Sequence, residues 1–378
     1  MTTYTLKNNL NIAKMIHKKL NAVLIDEFTR IGGGQVLANL FLDYLQSEKY
    51  KTYVVTDSEH PFLDYGSGNI VETPYVYREN ISWISLLFTM LKTRKFLNRM
   101  QILKDSDLVF NNHPNMFLYR GDVNVLHGFS FLDPVIDEKG TIRNKLLYEM
   151  IKNSGIYKIY GNANFYVNSK YTMELSRSLF PKLGVKPKAM KVVYIPVIKP
   201  DLSYPVKRDD RLIVSIGRLN RDKQYEDLLR IARELPNYRF LIIGALNKGD
   251  EEYIKSLTRN MGTNVSVMQN LDNIKKENIL RKASIYLHLK RKEHYGISVV
   301  EAMSYGLIPV VPKSGGPWID IVEKGKYGYG FDSVQEGVEM IKNVDMSRSK
   351  EIYESVDRFS YQNFHDGLSS LIEIVKNS

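Results

Sequence analysis

Residues 293–311 read EHYGISVVEAMSYGLIPVV. An apolar run ending near Leu289 precedes the stretch, and a second one, Ile308 to Val311, closes it. Between them Gly296 offers a tight turn, and Ile297 to Tyr305 carries helical periodicity. Strand, turn, helix and strand in that order make a βαβ unit, and hence a parallel sheet covered by helices. The helix should begin at Gly296, Ile297 and Ser298, whose backbone N–H groups have no partner within it. Those donors and the positive end of the helix dipole form an anion site at which a diphosphate can dock. Glu293 lies just outside the helix and Glu301 about one turn inside. The two carboxylates would flank the anion site and accept hydrogen bonds from hydroxyl groups. On spacing alone, the plainer reading of Glu293 and Glu301 is two solvated charges.

Upstream, residues 214–229 read VSIGRLNRDKQYEDLL. Arg218 follows Gly217 at the end of an apolar run, and Lys223 lies a few residues later. Two cations at the mouth of a parallel sheet can neutralise a leaving diphosphate, Arg through a planar fork and Lys as a point charge. The competing reading is a surface ion pair with Glu226 or Asp227.

Together the two stretches closely resemble the C-terminal half of the retaining glycosyltransferases of family four, the glycosyl transferases group 1. The resemblance implies an α/β fold of GT-B type, with two Rossmann-like domains facing each other across a cleft. The E-x7-E element of that family has the spacing of Glu293 and Glu301. It implies that Glu293 contacts the transferred sugar and Glu301 the nucleotide ribose, with Gly296, Ile297 and Ser298 at the donor's phosphates. Arg218 and Lys223 match the family's diphosphate-binding pair. Base recognition would fall to backbone groups of a loop such as Gln269 to Asn273.

The remainder of the chain agrees with that outline. Short apolar runs alternate with helical periodicity in the first half, at Asn21 to Asp26, Thr52 to Thr56, Leu108 to Asn111, Val123 to Leu126 and Phe165 to Asn168. KVVYIPV reads as a strand running into Pro196. A charged stretch with Pro196, Pro200 and Pro205 then reads as a linker, and the strand–helix pattern restarts at Leu212. The expected division is 1–200, an acceptor-side domain; 201–360, the nucleotide-sugar domain; and 361–378, a helix returning toward the first domain. Gly33 and Gly34, in a glycine turn after the first strand, would let backbone approach a phosphate or the acceptor. His127 ends the run VNVLH and is the best candidate near the acceptor; the resemblance implies a catalytic histidine in such a place, contacting the donor sugar or the reacting groups, against an equal claim for a structural histidine. His113 is the alternative; His288 and His294 lie nearer the donor motif without an assigned role. Asp105-Ser106-Asp107 resembles a metal-binding D-x-D, but it precedes a strand, so no metal site is assigned to it.

The chain has 378 residues, no cysteine and a net charge of +11. Disulfides and thiolate zinc sites are thereby excluded, and a surface that attracts polyanions is expected. The first twenty residues carry Lys7, Lys14, Lys18 and Lys19 without an apolar block, and no run is long enough to span a bilayer. Asn80 to Lys104 joins apolar residues to Lys92, Arg94, Lys95, Arg99 and Lys104 and contains no acid. Such a stretch can lie on an anionic membrane; the alternative is a packed helix with a solvated basic face. The expected activity is hexosyl transfer from a nucleotide diphosphate-sugar, without a metal and without a cofactor beyond that co-substrate, and the family resemblance implies retention. The acceptor would be a glycan, lipid-linked or protein-linked, and the location cytoplasmic or peripheral at the inner face of a membrane. The rivals are a sugar-nucleotide epimerase of the same fold and a basic nucleic-acid-binding protein. The first lacks placeable acid–base carboxylates. The second lacks basic residues interleaved with aromatics along one face, so nucleic acid is set aside.

Overall fold

The computed structural model describes residues 20–26, 32–57, 69–74, 83–129, 142–204, 206–247 and 249–377. The expectations on Lys7, Lys14, Lys18, Lys19, Asn80 and Pro205 lie outside these residues. Contacts divide the chain into two units. The first runs to Tyr166 and takes in Leu179–Met190 and the residues from Ile372; the second holds Val167–Ser178 and Lys191–Leu371.

In the first unit the apolar runs become strands flanked by helices. They are β1 (Asn21–Ile25), β2 (Lys51–Asp57), β3 (Asn69–Thr73), β4 (Leu108–Asn111), β5 (Val123–Leu126), β6 (Asn164–Val167) and β7 (Ala189–Val192), ordered β3-β2-β1-β4-β5-β6-β7. β1 pairs in parallel with both β2 and β4. The order therefore reverses beside β1, which is where an open α/β sheet leaves a crevice at the carboxyl ends of its strands. β7 stops at Val192, so KVVYIPV is strand only in its first part, and Val193–Pro200 continues without regular structure.

Helix α1 (Gly33–Ser47) begins one residue after Gly32, which places Gly33 and Gly34 in its first turn. Leu37, Phe41 and Leu45 define its buried face, and Val36, one position off that face, is 46% exposed. Phe41 meets Phe110 at 5.1 Å and Tyr166 at 5.4 Å between ring centroids. Each such buried aromatic contributes on the order of 1.5–3 kcal/mol, which fixes α1 over the sheet. Helix α2 (Trp83–Leu97) covers part of the basic apolar segment and ends before a separate short helix, Gln101–Asp105. Asp105 accepts a hydrogen bond from Gln101 at 2.8 Å, and Asp107 accepts one from the backbone N–H of Asn21 at 2.8 Å. Both carboxylates of the D-x-D thus serve local structure.

The second unit repeats the plan. Its strands are β8 (Asp209–Ile216), β9 (Arg239–Gly244), β10 (Val265–Gln269), β11 (Ala283–Leu287), β12 (Ile308–Pro312) and β13 (Tyr329–Phe331), ordered β10-β9-β8-β11-β12-β13. β8 pairs in parallel with β9 and β11, so the order again reverses at its first strand. Helix α3 (Lys170–Leu179) is capped where Asp320 accepts from the N–H groups of Lys170 at 2.7 Å and Tyr171 at 3.2 Å. Helix α4 (Tyr225–Glu234) buries Leu228, Leu229 and Ile231 with Ile213, Phe240 and Ile285 of the sheet. Helix α5 (Asn273–Leu280) is capped by Asp272, which accepts from Lys275 N–H at 2.8 Å. Helix α6 (Ile297–Ser304) follows the Glu293 loop, and helix α7 (Tyr361–Lys376) ends the chain.

Candidate functional site

The carboxyl ends of β8 and β11 in the second unit carry a dense set of charges. Arg218 follows β8, and Lys223 closes a single helical turn, Arg221–Lys223. Beyond β11 the chain passes through His288 and Lys290 to Glu293. Lys223 Nζ lies 2.6 Å from Glu293 Oε2, and Lys290 Nζ lies 3.6 Å from Glu293 Oε1. Lys290 Nζ is also 2.8 Å from Asp222 Oδ2, which Arg218 approaches at 3.8 Å. Glu226 and Asp227 are not the partners of Arg218 and Lys223. Burial opposes ionisation of Glu293, but the ammonium groups of Lys223 and Lys290 outweigh it and hold the carboxyl well below the usual carboxylate range. His288 is 3% exposed. Burial, reinforced by the charge of Lys223, pulls its imidazole down to about 3, so it is neutral beside the ion pairs.

Gly296 stands at φ +105°, a left-handed conformation that a side chain would strain. A Cβ there would also meet Pro317 Cγ at 2.9 Å. This turn starts α6, and the N–H groups of Gly296, Ile297 and Ser298 donate to none of the described residues. The first turn is pinned from below by Tyr286, whose hydroxyl donates to Ser298 Oγ at 2.7 Å. Glu301, one turn further along, is held by Lys276 of α5, with Nζ at 2.6 Å from Oε1. The loop before α6 is fixed by Gly315 and Gly316. Gly316 N–H donates to Glu293 O at 2.8 Å, and a Cβ on Gly315 would fall 2.6 Å from the same oxygen. His294 is an anchor: Ser169 Oγ donates to its carbonyl at 2.6 Å, and Thr172 Oγ1 lies 3.1 Å from its Nδ1. In the loop after β10, Asn270 takes a positive φ of 50° and donates its N–H to Gly244 O at 2.9 Å.

The first unit carries a second polar constellation at the same end of its own sheet. His127 follows β5, and its Nε2 lies 2.9 Å from Asn112 Oδ1. Asn112 Nδ2 donates to Asp26 Oδ2 at 3.1 Å and to Gly34 O at 3.3 Å. His113 Nε2 lies 2.9 Å from Asp26 Oδ1, and the two imidazole rings are 5.4 Å apart. His127, His113 and Gly34 are thus brought together through Asp26 and Asn112, both fully buried.

Residues 202–361 match the family described as glycosyl transferases group 1. They belong to it. Arg218, Lys223, Glu293 and Glu301 all fall inside the matched residues. The Dictyostelium discoideum GDP-Man:Man(3)GlcNAc(2)-PP-Dol alpha-1,2-mannosyltransferase is 26% identical over 304 residues, covering 72% of this chain and 57% of that protein. The chain spans about half the length of the curated relatives it matches. Among solved structures, a sucrose-phosphate synthase from Thermosynechococcus elongatus superposes with a TM-score of 0.73 at 13% identity, covering 95% of this chain and 100% of that one. Anabaena Alr3699/HepE in complex with UDP and glucose gives 0.65 at 16%, covering 94% and 99%. The fold is that of GT-B glycosyltransferases.

Sequence reasoning did not single out Lys276, Lys290, Asp222, Asp26 or Asn112. Lys276 and Lys290 belong to basic runs, KK and KRK, in which spacing does not distinguish the lysine that turns inward. The Gly315-Gly316-Pro317 run after β12 was a legible turn signal, of the same kind as the Gly32–Gly34 run.

Proposed function

We propose that the chain is a glycosyltransferase that moves a hexose from a nucleoside diphosphate-sugar to an acceptor, with retention and without a metal. The observation that carries this is the charge arrangement of the second unit. Arg218 and Lys223 follow β8, and Lys223 pairs with Glu293, three residues before the open N–H groups of α6. As the bond between the sugar and the phosphate breaks, negative charge grows on the leaving diphosphate. Two cations and a helix start placed there beforehand stabilise it without reorganisation. In this reading Glu301 accepts from the ribose hydroxyls and Glu293 from the sugar. The family resemblance supports retention, and the positive groups can take the place of a divalent ion. An epimerase is not favoured.

The named relatives use GDP-mannose and a lipid-linked glycan. We therefore place GDP-mannose first among the donors and a polyprenyl-diphosphate-linked glycan first among the acceptors. Acceptor binding is assigned to the first unit, around His127, Gly33 and Gly34. Attachment to an anionic membrane, at its inner face, is part of the same proposal. Its support is the outward face of α2, where Phe88 is 62% and Leu91 43% exposed beside exposed Lys92 and Lys95. No described helix is long and apolar enough to cross a membrane.

The test is turnover of a panel of GDP- and UDP-sugars with such an acceptor, with and without EDTA. Transfer with release of the nucleoside diphosphate, surviving chelation, is expected. Absence of turnover with every donor would overturn the assignment. Loss on chelation with recovery in magnesium or manganese would overturn the leaving-group chemistry.

A further inference from the structure

The charges at the mouth of the second sheet form one alternating row: Arg218, Asp222, Lys290, Glu293, Lys223. Its contacts are 3.8 Å from Arg218 to Asp222, 2.8 Å from Asp222 to Lys290, 3.6 Å from Lys290 to Glu293 and 2.6 Å from Glu293 to Lys223. The two ends are the cations assigned above to the donor's diphosphate. The middle is a lysine that the proposed reaction has not used. Glu293 divides its oxygens, with Oε2 toward Lys223 and Oε1 toward Lys290. Lys290 is only 22% exposed and Glu293 16%, so solvent screens that pair poorly, whereas Asp222, 47% exposed, keeps part of its hydration.

Such a row has a physical consequence. A diphosphate that engages Arg218 and Lys223 draws both end cations away from their carboxylates. A carboxylate withdrawn from water and stripped of its counter-ion is costly, and the cost would be charged against donor binding. An ammonium has three donors and can serve two carboxylates at once. We infer that Lys290 is a positioning residue of the donor site: it holds Asp222 and Glu293 while Arg218 and Lys223 pass to the diphosphate. This rests on the donor-site reading above. It adds that donor affinity and the placement of Glu293 depend on a lysine that does not itself bind the phosphates.

Two effects follow for Lys290→Gln. Asp222 and Glu293 lose their shared cation and compete with the diphosphate for Arg218 and Lys223, so GDP and UDP bind at least tenfold more weakly. Glu293 in the donor complex has lost one cation to the phosphate and the other to mutation, so it takes up a proton more readily. The acid limb of kcat then moves to higher pH by about one unit. The other titratable groups that interact with Glu293 are Tyr286 in β11 and His288 just after it; Lys292 and His294 are its chain neighbours, Lys292 being exposed. His288 is neutral and Lys292 is exposed to solvent, so neither stands in for the buried ammonium of Lys290.

The experiment is calorimetric titration of the full chain with GDP and with UDP, together with pH profiles of kcat. The variants are Lys290→Gln, Lys290→Arg and the double variant Lys290→Gln/Asp222→Asn, each with its unfolding temperature. Lys290→Arg should bind and titrate within about threefold and a few tenths of a pH unit of the native chain. The double variant should recover most of the lost affinity, because one competing carboxylate has gone. A merely structural lysine would not be rescued by removing an acid. Unchanged affinity and an unchanged acid limb in Lys290→Gln, while Arg218→Ala abolishes binding, would overturn the relay and leave the donor site standing. Failure of the native chain to bind either nucleotide would overturn both. Should Lys290→Gln not fold, the proposal stands or falls on the rescue in the double variant and on retention of function in Lys290→Arg.

Discussion

Glu293 and Glu301 are eight positions apart in sequence, and their nearest ammonium groups are different, those of Lys223 and Lys276, each at 2.6 Å. The two pairs predict different outcomes on truncation. Glu301→Ala removes the acceptor proposed for the ribose, a charge-assisted hydrogen bond worth about 1.5–3 kcal/mol, so bare GDP should bind at least tenfold more weakly. Glu293→Ala releases Lys223 toward the diphosphate. Binding of bare GDP should then be unchanged or tighter, while sugar transfer falls by about a hundredfold or more. Titration calorimetry on both variants checks the division of labour, and equal losses of GDP affinity would contradict it. The E-x7-E spacing was legible in the sequence. The lysines opposite the glutamates were not, because Lys276 sits on α5 and Lys223 in a turn after β8, and only the tertiary fold sets them against α6 and its loop.

At the scale of elements, strands buried on both faces were the most legible feature. LVFN and VNVL are fully buried and coincide with β4 and β5. The strand β3, NIVET, went unread because its side chains are mostly half-buried or exposed and its sequence mixes apolar and polar residues. The segment after Asn80 was legible in composition but not in its break: Asn98, Arg99 and Met100 separate α2 from the next short helix. Within it Met90 and Leu97 are buried, whereas Phe88 and Leu91 face outward with Lys92 and Lys95. Each basic residue close to an anionic surface contributes about 1 kcal/mol, and the apolar side chains add to it. The native chain should therefore co-sediment with vesicles containing anionic lipid in preference to neutral ones, less so at high salt. Changing Lys92, Arg94, Lys95 and Arg99 together to Gln should abolish the preference. An absence of preference at low salt in the native chain would reduce α2 to a packed helix with a solvated basic face.

Across the whole molecule, two sheets with the same reversal of strand order each set their polar residues at the carboxyl ends of the strands. The repetition was legible as a pattern that restarts after the proline-rich stretch. The assignment of Val167–Ser178 to the second unit was not. That segment makes contacts distant in sequence, those of Asp320 with Lys170 and Tyr171 and of Ser169 with His294, for which no local pattern exists. The central claim is that a nucleoside diphosphate-sugar is held by Arg218, Lys223 and the start of α6. Thermal unfolding with such a ligand, in EDTA, tests it most directly. A donor present at 100 times its dissociation constant should raise the stability of the native chain by about 2.7 kcal/mol. The variant Arg218→Ala/Lys223→Ala, in which Lys290 still pairs both carboxylates, should unfold like the native chain without ligand and gain nothing from that concentration. Equal stabilisation of the two proteins, or none of the native chain by any nucleotide-sugar, would contradict the account.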